Sequence, residues 1–235
     1  MNAFAWALIA FVLLHVGVSG AGLRPVLVRA LGEGPYRLAF AIASAALLIW
    51  MIFAFAEMRA NPTDPLNAVL WTPPAWGRHV AYLLILLGFV FVIGGVSSPG
   101  PTLVGFEGAL KKNEPAHGFL RITRHPFLWG VAFWAAGHLA VNGERFALVL
   151  FGALGVMVLL GTRSIDRKGA ARNTEAWARF ATATSNVPFA AIIQGRNKLA
   201  LSELWWRTLA GIAVFALVGL LHARMIGVPA FSFAL

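Results

Sequence analysis

The chain has 235 residues, of which 59% are hydrophobic and 12% are charged, and its formal net charge at pH 7 is +10. Charged residues make up roughly a quarter of an ordinary soluble domain, so the composition excludes that class. The absence of cysteine excludes disulfides, thiolate ligands and iron–sulfur clusters. We expect the positive charge to face anionic lipid head groups and not nucleic acid, since no basic helix is interleaved with exposed aromatic residues.

Six apolar stretches follow one another along the chain. A membrane-spanning helix needs about 20 residues, within a range of roughly 17–25. The fourth and fifth stretches are shorter, and residues 142–145 between them predict a tight helical hairpin. The stretches are approximately 3–22, 36–56, 80–97, 127–142, 146–162 and 206–223. The predicted fold class is an all-α polytopic membrane bundle of about six transmembrane helices, forming a single domain over 1–235.

The basic residues orient this bundle. Fifteen of the nineteen Lys and Arg residues fall in alternate gaps between the apolar stretches. Because cationic loops stay on the cytoplasmic side, we expect cytoplasmic loops at about 23–35, 98–126 and 163–205. Both termini would then face the periplasm of a bacterial inner membrane. The first stretch lacks the basic start of a signal peptide, so we expect it to be retained.

His15 lies within the first predicted span, about two-thirds of the way along it. A histidine inside a membrane span is costly and is a functional candidate by default. Two interpretations stay open at this point. The ring is either hydrogen-bonded to a neighbouring helix or is a ligand of a metal or haem.

The segment before the fourth helix is rich in basic residues. Pro126 suits the first position of a helix, and the residue before a proline is extended, which places His125 at the cytoplasmic mouth of that helix. Arg121 and Arg124 come just before it, and guanidinium groups bind carboxylates and phosphates well. This pattern suits a ligand with acidic groups, although it also occurs in ordinary basic loops at a membrane edge. His117 is a weaker ligand candidate.

The histidines differ in their predicted depth. His15 and His125 lie on different helices at similar depth, where they could face each other across a planar cofactor. His138 follows His125 by 13 residues, about 20 Å along a helix, so these two cannot bind one metal ion. His138 would serve a second site or cap the hairpin. His79 and His222 lie at outer helix ends, where snorkelling explains them.

The last long loop carries both aromatic and charged residues. Trp177, Phe180 and Phe189 would let it lie against the membrane interface as an amphipathic cover. Asp166 and Arg167 could pair instead with the basic loop before the fourth helix. A solvated loop beside the membrane is the plainer alternative. Nucleotide-binding loops, zinc-protease helices and nucleophile elbows are absent from the sequence.

An ordered set of short motifs resembles the NnrU family, to which the zeta-carotene isomerase of plants and cyanobacteria is related. The resemblance covers most of the chain up to Gly195. The matching positions are His15, Gly22-Leu23-Arg24-Pro25, Leu31-Gly32-Glu33-Gly34-Pro35-Tyr36-Arg37, His117, Arg121-Ile122-Thr123-Arg124-His125-Pro126, Trp134, Gly137-His138-Leu139, Asn142-Gly143, Asp166-Arg167-Lys168 and Thr184-Ser185-Asn186-Val187-Pro188-Phe189.

The resemblance implies a function as well as a fold. NnrU-type proteins are associated with nitrite and nitric oxide reduction, and the isomerase binds haem b and depends on the redox state of its iron. Carried over, the axial ligands and catalytic residues are His15 and His125. We infer that Arg121 and Arg124 hold the haem propionates, with His117 nearby. The partner would be a polyene such as 15-cis-zeta-carotene, or nitric oxide. Ligand exchange with a cysteine thiolate is impossible here.

Two other classes stay open. Membrane methyltransferases of the isoprenylcysteine carboxyl type also carry an Arg-His-Pro…Gly element, matched here by Arg124-His125-Pro126 and Gly130. In that case the loops would hold S-adenosylmethionine. The segment around Asp166 is basic where those enzymes are rich in glutamate, and His15 would have no role. A cofactor-free assembly protein is the third possibility.

Overall fold

A computed structural model describes residues 2–20, 22–103, 105–111, 116–171 and 174–231. Lys112 and Arg172, two of the basic residues assigned to cytoplasmic loops, lie outside these ranges. The described residues form helices, short 3-10 turns and one isolated β-bridge between Val69 and Glu144. The helices are α1 (Ala3–Leu13), α2 (Leu23–Leu31), α3 (Glu33–Ala60), α4 (Gly77–Val96), α5 (Pro126–Val141), α6 (Arg145–Ala171), α7 (Glu175–Ala183), α8 (Ala190–Ile193) and α9 (Leu201–Ile226). The all-α prediction is confirmed.

Several of these helices suit a lipid bilayer. In the described part of the chain, α3, α4, α6 and α9 are long and apolar enough to cross a membrane. A fifth span is possible if Ala3–Val18 and α2 form one segment with a bend of 81°. α5 is apolar but has only 16 residues, so its helix is about 24 Å long. The chain is a membrane protein.

Two of the predicted loops contain helix. The loop expected at 23–35 includes α2, and the loop expected to start at residue 163 begins inside α6, which continues to Ala171. The predicted loops start where the side chains change from apolar to charged. Backbone hydrogen bonds continue the helix past that point, so the helix ends differ from the ends of the apolar stretches. The three-residue connection between α5 and α6 agrees with the predicted hairpin.

The chain divides into two compact units. The first contains Met1–Arg78 and His138–Met157, and the second contains His79–Gly137 and Val158–Leu235. In the first unit, α1 packs along α3, where the rings of Phe4 and Phe55 meet edge to face at 5.6 Å between centroids.

In the second unit, glycines allow α4 and α5 to approach closely. A Cβ atom on Gly130 would lie 2.6 Å from the backbone nitrogen of Val92 and 2.8 Å from the carbonyl oxygen of Gly88. Small residues let membrane helices pack backbone against backbone. A buried core that includes Phe91, Phe119 and other apolar side chains lies under the loop that precedes α5.

Candidate functional site

The loop before α5 is held against the segment after α7. The backbone nitrogen of Arg124 donates to the carbonyl of Ser185 over 2.8 Å, and the backbone nitrogen of Phe189 donates to the carbonyl of Ile122 over 2.8 Å. Two stretches that lie more than 60 residues apart in the sequence are thereby paired. Both belong to the second unit.

Asn186 is fixed at the centre of this pairing. Its carbonyl oxygen lies 2.5 Å from Oγ1 of Thr123 and accepts a hydrogen bond of 2.8 Å from Nε1 of Trp129. Its side-chain Nδ2 donates to Oδ2 of Asp166 over 2.9 Å. The loop, α5 and the end of α6 are therefore joined through one asparagine.

His125 lies directly before Pro126, the first residue of α5, and its side chain is 0% exposed. Its Nε2 lies 2.8 Å from Oδ1 of Asp166. Nε of Arg124 lies 3.7 Å from the same carboxylate oxygen. The interpretation that Asp166 pairs with the loop before α5 agrees with these contacts, and the same pairing for Arg167 stays a prediction.

The environment of His125 determines which ring nitrogen carries its proton. Burial lowers the pKa of His125 below its usual value, while the hydrogen bond and charge of Asp166 oppose that change. A neutral ring beside a carboxylate, which only accepts hydrogen bonds, carries its proton on Nε2. Nδ1 then holds the lone pair, and it is buried without a hydrogen-bond partner among the described residues.

The two arginines of this loop differ in what they bind. Nε and Nη2 of Arg121 donate to the two carboxylate oxygens of Glu203 over 3.0 and 2.8 Å, and Nη1 donates to Asn197 over 3.2 Å. Arg121 is thus engaged by the protein itself. By contrast, the buried Nε of Arg124 has no hydrogen-bond partner in the described part of the chain.

His15 belongs to the first unit, in a π-helical stretch (Leu14–Gly20) that continues α1. Its Nδ1 lies 2.8 Å from the carbonyl oxygen of Phe11, which can only accept. The half-buried ring packs against Phe11 and Phe40, with centroids 4.3 and 5.4 Å away. In the neutral ring the lone pair is therefore on Nε2. The π-helical backbone at His15 is a second indication, since single π-helical turns are frequent at functional sites.

The remaining histidines have separate surroundings. His117 is half-buried at the start of the 3-10 turn Gly118–Arg121. His138 stacks on Phe151 with centroids 4.6 Å apart, and its carbonyl accepts from the side chain of Asn142 over 2.7 Å. The side chain of Asn142 therefore caps the end of α5, and the role of His138 stays a prediction. Within the described ranges, no group of three or more His, Asp or Glu side chains is arranged to hold a metal ion.

An apolar cleft of about 580 Å³ opens beside this loop in the second unit. Its walls include Ile122 from the loop, Phe189 from the segment paired with it, and Leu204, Trp205 and Thr208 from α9. Thr208 supplies the one polar side chain among its lining residues. Its lining is apolar and largely exposed, with Trp205 61% exposed on α9, so it suits hydrocarbon, that of lipid included, better than a charged ligand.

The sequence profile described as "NnrU protein" matches residues 3–230 of the chain. This protein belongs to the NnrU family. The match includes His15, the Arg121–His125 loop, Asp166 and Asn186, so the site described above lies wholly inside the family region. The predicted resemblance is confirmed.

Two curated relatives of this NnrU family member are plant enzymes. The chloroplastic 15-cis-zeta-carotene isomerase of Zea mays is 31% identical over 195 residues, which cover 81% of this chain and 50% of the relative. The protein of the same name from Arabidopsis thaliana is 29% identical over 195 residues, covering 80% of this chain and 50% of the relative. The chain thus spans about half the length of these relatives. No solved structure gives a significant match.

The two predicted iron ligands of this family member differ in how well they suit haem. An axial histidine needs a ring nitrogen with an available lone pair, and its other nitrogen is usually bound to a carbonyl or carboxylate. His15 meets both conditions, because Nδ1 is bound to the carbonyl of Phe11 and no described residue forms a hydrogen bond with Nε2. His125 has Nε2 bound to Asp166 and only the buried Nδ1 unpaired. The two histidines belong to different units, and their joint ligation of one iron stays a prediction.

Asn186 and Glu203 are contacts that the sequence reasoning did not assign. Asn186 was visible as part of the Thr184–Phe189 motif, but nothing in that motif shows that its amide faces Asp166. Glu203 lies in the first turn of α9, an apolar helix, and a single carboxylate at that position does not by itself indicate a functional contact. The sequence pattern suggests an external acidic ligand for Arg121, and no nearby residue in the sequence indicates its bidentate pair with Glu203.

Proposed function

We propose that this protein is a membrane-embedded cis–trans isomerase of a carotenoid-like polyene. The observation that carries the proposal is its 31% identity, over 81% of the chain, to the maize 15-cis-zeta-carotene isomerase. The apolar cleft at Ile122 and Phe189 supports it, because a polyene has no polar groups to satisfy along most of its length. The substrate class is therefore a long conjugated hydrocarbon.

The proposal includes haem b, which His15 would hold through Nε2. The support is the hydrogen bond from Nδ1 to the carbonyl of Phe11, which orients the ring and leaves Nε2 available. Bound haem supplies an iron centre that can act on a double bond as a Lewis acid or by redox chemistry. Phe11 and Phe40 hold the ring in place and keep its surroundings apolar.

Arg124 is the better candidate for a haem propionate or another acidic group. Its buried Nε has no hydrogen-bond partner among the described residues, whereas Arg121 is bound to Glu203 and Asn197. Because Nε of Arg124 already faces Asp166 at 3.7 Å, a propionate would bind the other nitrogens of this guanidinium group, which can pair with a carboxylate. The alternative role in nitrite or nitric oxide reduction stays a prediction from the family resemblance.

The test uses full-length protein purified in detergent and supplied with haem. We expect Soret absorbance that shifts on reduction with dithionite, and conversion of 15-cis-zeta-carotene in mixed micelles, measured by chromatography of the isomers. His15→Ala should abolish the Soret band. His222→Ala is the matched control, because His222 is exposed and its Nδ1 lies against the carbonyl of Val228.

Three results would count against the proposal. An unchanged isomer composition with folded, haem-loaded protein would reject the isomerase activity. A Soret band that survives His15→Ala would reject His15 as a ligand. Binding of S-adenosylmethionine without haem would favour the methyltransferase alternative instead. Circular dichroism of each variant shows whether the helices are intact.

A further inference from the structure

Three groups converge on the carboxylate of Asp166 near the end of α6. Nε2 of His125 lies 2.8 Å from Oδ1, Nδ2 of Asn186 donates to Oδ2 over 2.9 Å, and Nε of Arg124 lies 3.7 Å from Oδ1. All three groups can donate, so both oxygens of Asp166 act as acceptors. This arrangement is that of an ionised carboxylate.

The residue that orients Asp166, Asn186, is itself held in place by two hydrogen bonds. Asn186, which binds Oδ2, is held by Thr123 and by the indole of Trp129, which lie 2.5 and 2.8 Å from its carbonyl oxygen. Asn186, Thr123 and Trp129, from three segments, thus serve to aim one carboxylate oxygen of Asp166 at one nitrogen of His125. Fixing one histidine tautomer in this way is a recognised use of a carboxylate partner.

The other nitrogen of His125 is left without a partner. Nδ1 is buried and has no hydrogen-bond partner among the described residues, in a side chain that is 0% exposed. Buried polar atoms are nearly always satisfied, so each exception calls for an explanation such as a bound ligand or ion. Nearby polar side chains in this cluster bind each other and not Nδ1.

We propose that Asp166 is a positioning residue that holds His125 as the tautomer protonated on Nε2, so that His125 acts through the lone pair of Nδ1. What binds Nδ1 is an electron-pair acceptor, either the proton of a bound molecule or a metal ion. The inference deepens the proposed function, since it concerns the same loop. It rests on that function only where isomerisation activity is measured.

Two substitutions at His125 separate its nitrogens. The amide of glutamine reaches the position of Nε2 and can still donate to Asp166, but it leaves nothing at Nδ1. The amide of asparagine is shorter and reaches the position of Nδ1 alone. We expect His125→Gln to keep the thermal stability of the protein and lose isomerisation by about 10- to 100-fold, the usual effect of disturbing such a site.

His125→Asn should show the opposite pattern, with lower thermal stability and more residual activity than His125→Gln. Higher activity in His125→Gln than in His125→Asn would overturn the proposal, because it would assign the function of His125 to its bond with Asp166.

A spectroscopic readout tests the tautomer without any activity. In protein carrying ¹⁵N-labelled histidine, we expect the His125 signals of a neutral ring protonated on Nε2, assigned by their loss in His125→Gln. Asp166→Ala should convert them to those of a tautomer mixture, and Asp166→Asn provides a second variant that preserves side-chain volume. His222, whose Nδ1 lies 2.6 Å from the carbonyl of Val228, is the internal control.

The two proposals fail in different ways. Signals of a ring protonated on Nδ1, or no change in either Asp166 variant, would reject the positioning role even if isomerisation is observed. Absence of isomerisation in the folded wild-type protein rejects the proposed function alone, and the tautomer measurement still decides the role of Asp166.

Discussion

His15 and His125 each bind an acceptor with one ring nitrogen and have no partner among the described residues for the other, but they do so with opposite nitrogens. His15 binds the carbonyl of Phe11 through Nδ1, whereas His125 binds Asp166 through Nε2. The unpaired atom is therefore at the tip of the ring in His15 and next to the backbone in His125. This difference is why we propose His15 as a haem ligand and propose for His125 a role in which Asp166 positions the ring.

A prediction at this scale concerns Phe189, which has a positive φ of 64°. A side chain in this left-handed region costs about 1–2 kcal/mol, and glycine avoids most of that cost. We expect Phe189→Gly to be more stable than Phe189→Ala by about 0.5–1 kcal/mol, because both lose the ring but only glycine relieves the backbone. Equilibrium unfolding in detergent measures the difference. Equal stability of the two variants would contradict the strain.

At the scale of helices, the contact between α4 and α5 depends on glycine. The backbone atoms of Val92 and Gly88 approach Gly130 so closely that there is no space for a methyl group. The positions of the loop that carries His125 and of the core beneath it depend on the position of α5. The glycines at the contact between α4 and α5 therefore support the site indirectly.

We therefore expect Gly130→Ala to lower the free energy of unfolding by about 1–3 kcal/mol, the usual range for overpacking. The matched control is Gly152→Ala in α6, where an added Cβ would meet nothing within 4 Å. That variant should be as stable as the wild type or slightly more stable, because alanine favours a helix. Thermal unfolding of both variants in the same detergent is the measurement. An unaffected Gly130→Ala protein would show that the helices can separate at no cost.

At the scale of the whole molecule, the distribution of charge bears on how the chain lies in the membrane. Fifteen of nineteen basic residues fall in alternate gaps between apolar stretches. The spanning helices agree with a membrane protein, whereas the orientation and the bacterial inner membrane stay predictions. The orientation is open to a direct test.

We expect alkaline phosphatase fused to the C-terminus to be active, because it would lie outside the cytoplasm. Green fluorescent protein fused after Ala200, in the basic region before α9, should be fluorescent, because it would lie inside. The exchanged reporters at the same two positions are the controls and should both be silent. A fluorescent C-terminal fusion would reverse the predicted topology.

The sequence alone determined the properties that depend on local composition and on matching motifs. These are the all-α membrane class, the family, and the candidate residues His15, His125, Arg121 and Arg124. It placed the helix ends less well, since α6 continues nine residues beyond its apolar stretch. Apolar periodicity reports where lipid or core begins, and backbone hydrogen bonds do not stop at that boundary.

The tertiary structure alone decided which polar groups meet. His125 and Asp166 are 41 residues apart, and Arg121 and Glu203 are 82 apart. A charged side chain in a sequence shows the kind of partner it needs but not which partner it finds, because several residues of opposite charge satisfy the same requirement. Folding brings one of them within hydrogen-bond distance, and among the described residues that choice leaves Nδ1 of His125 and Nε of Arg124 without a hydrogen-bond partner.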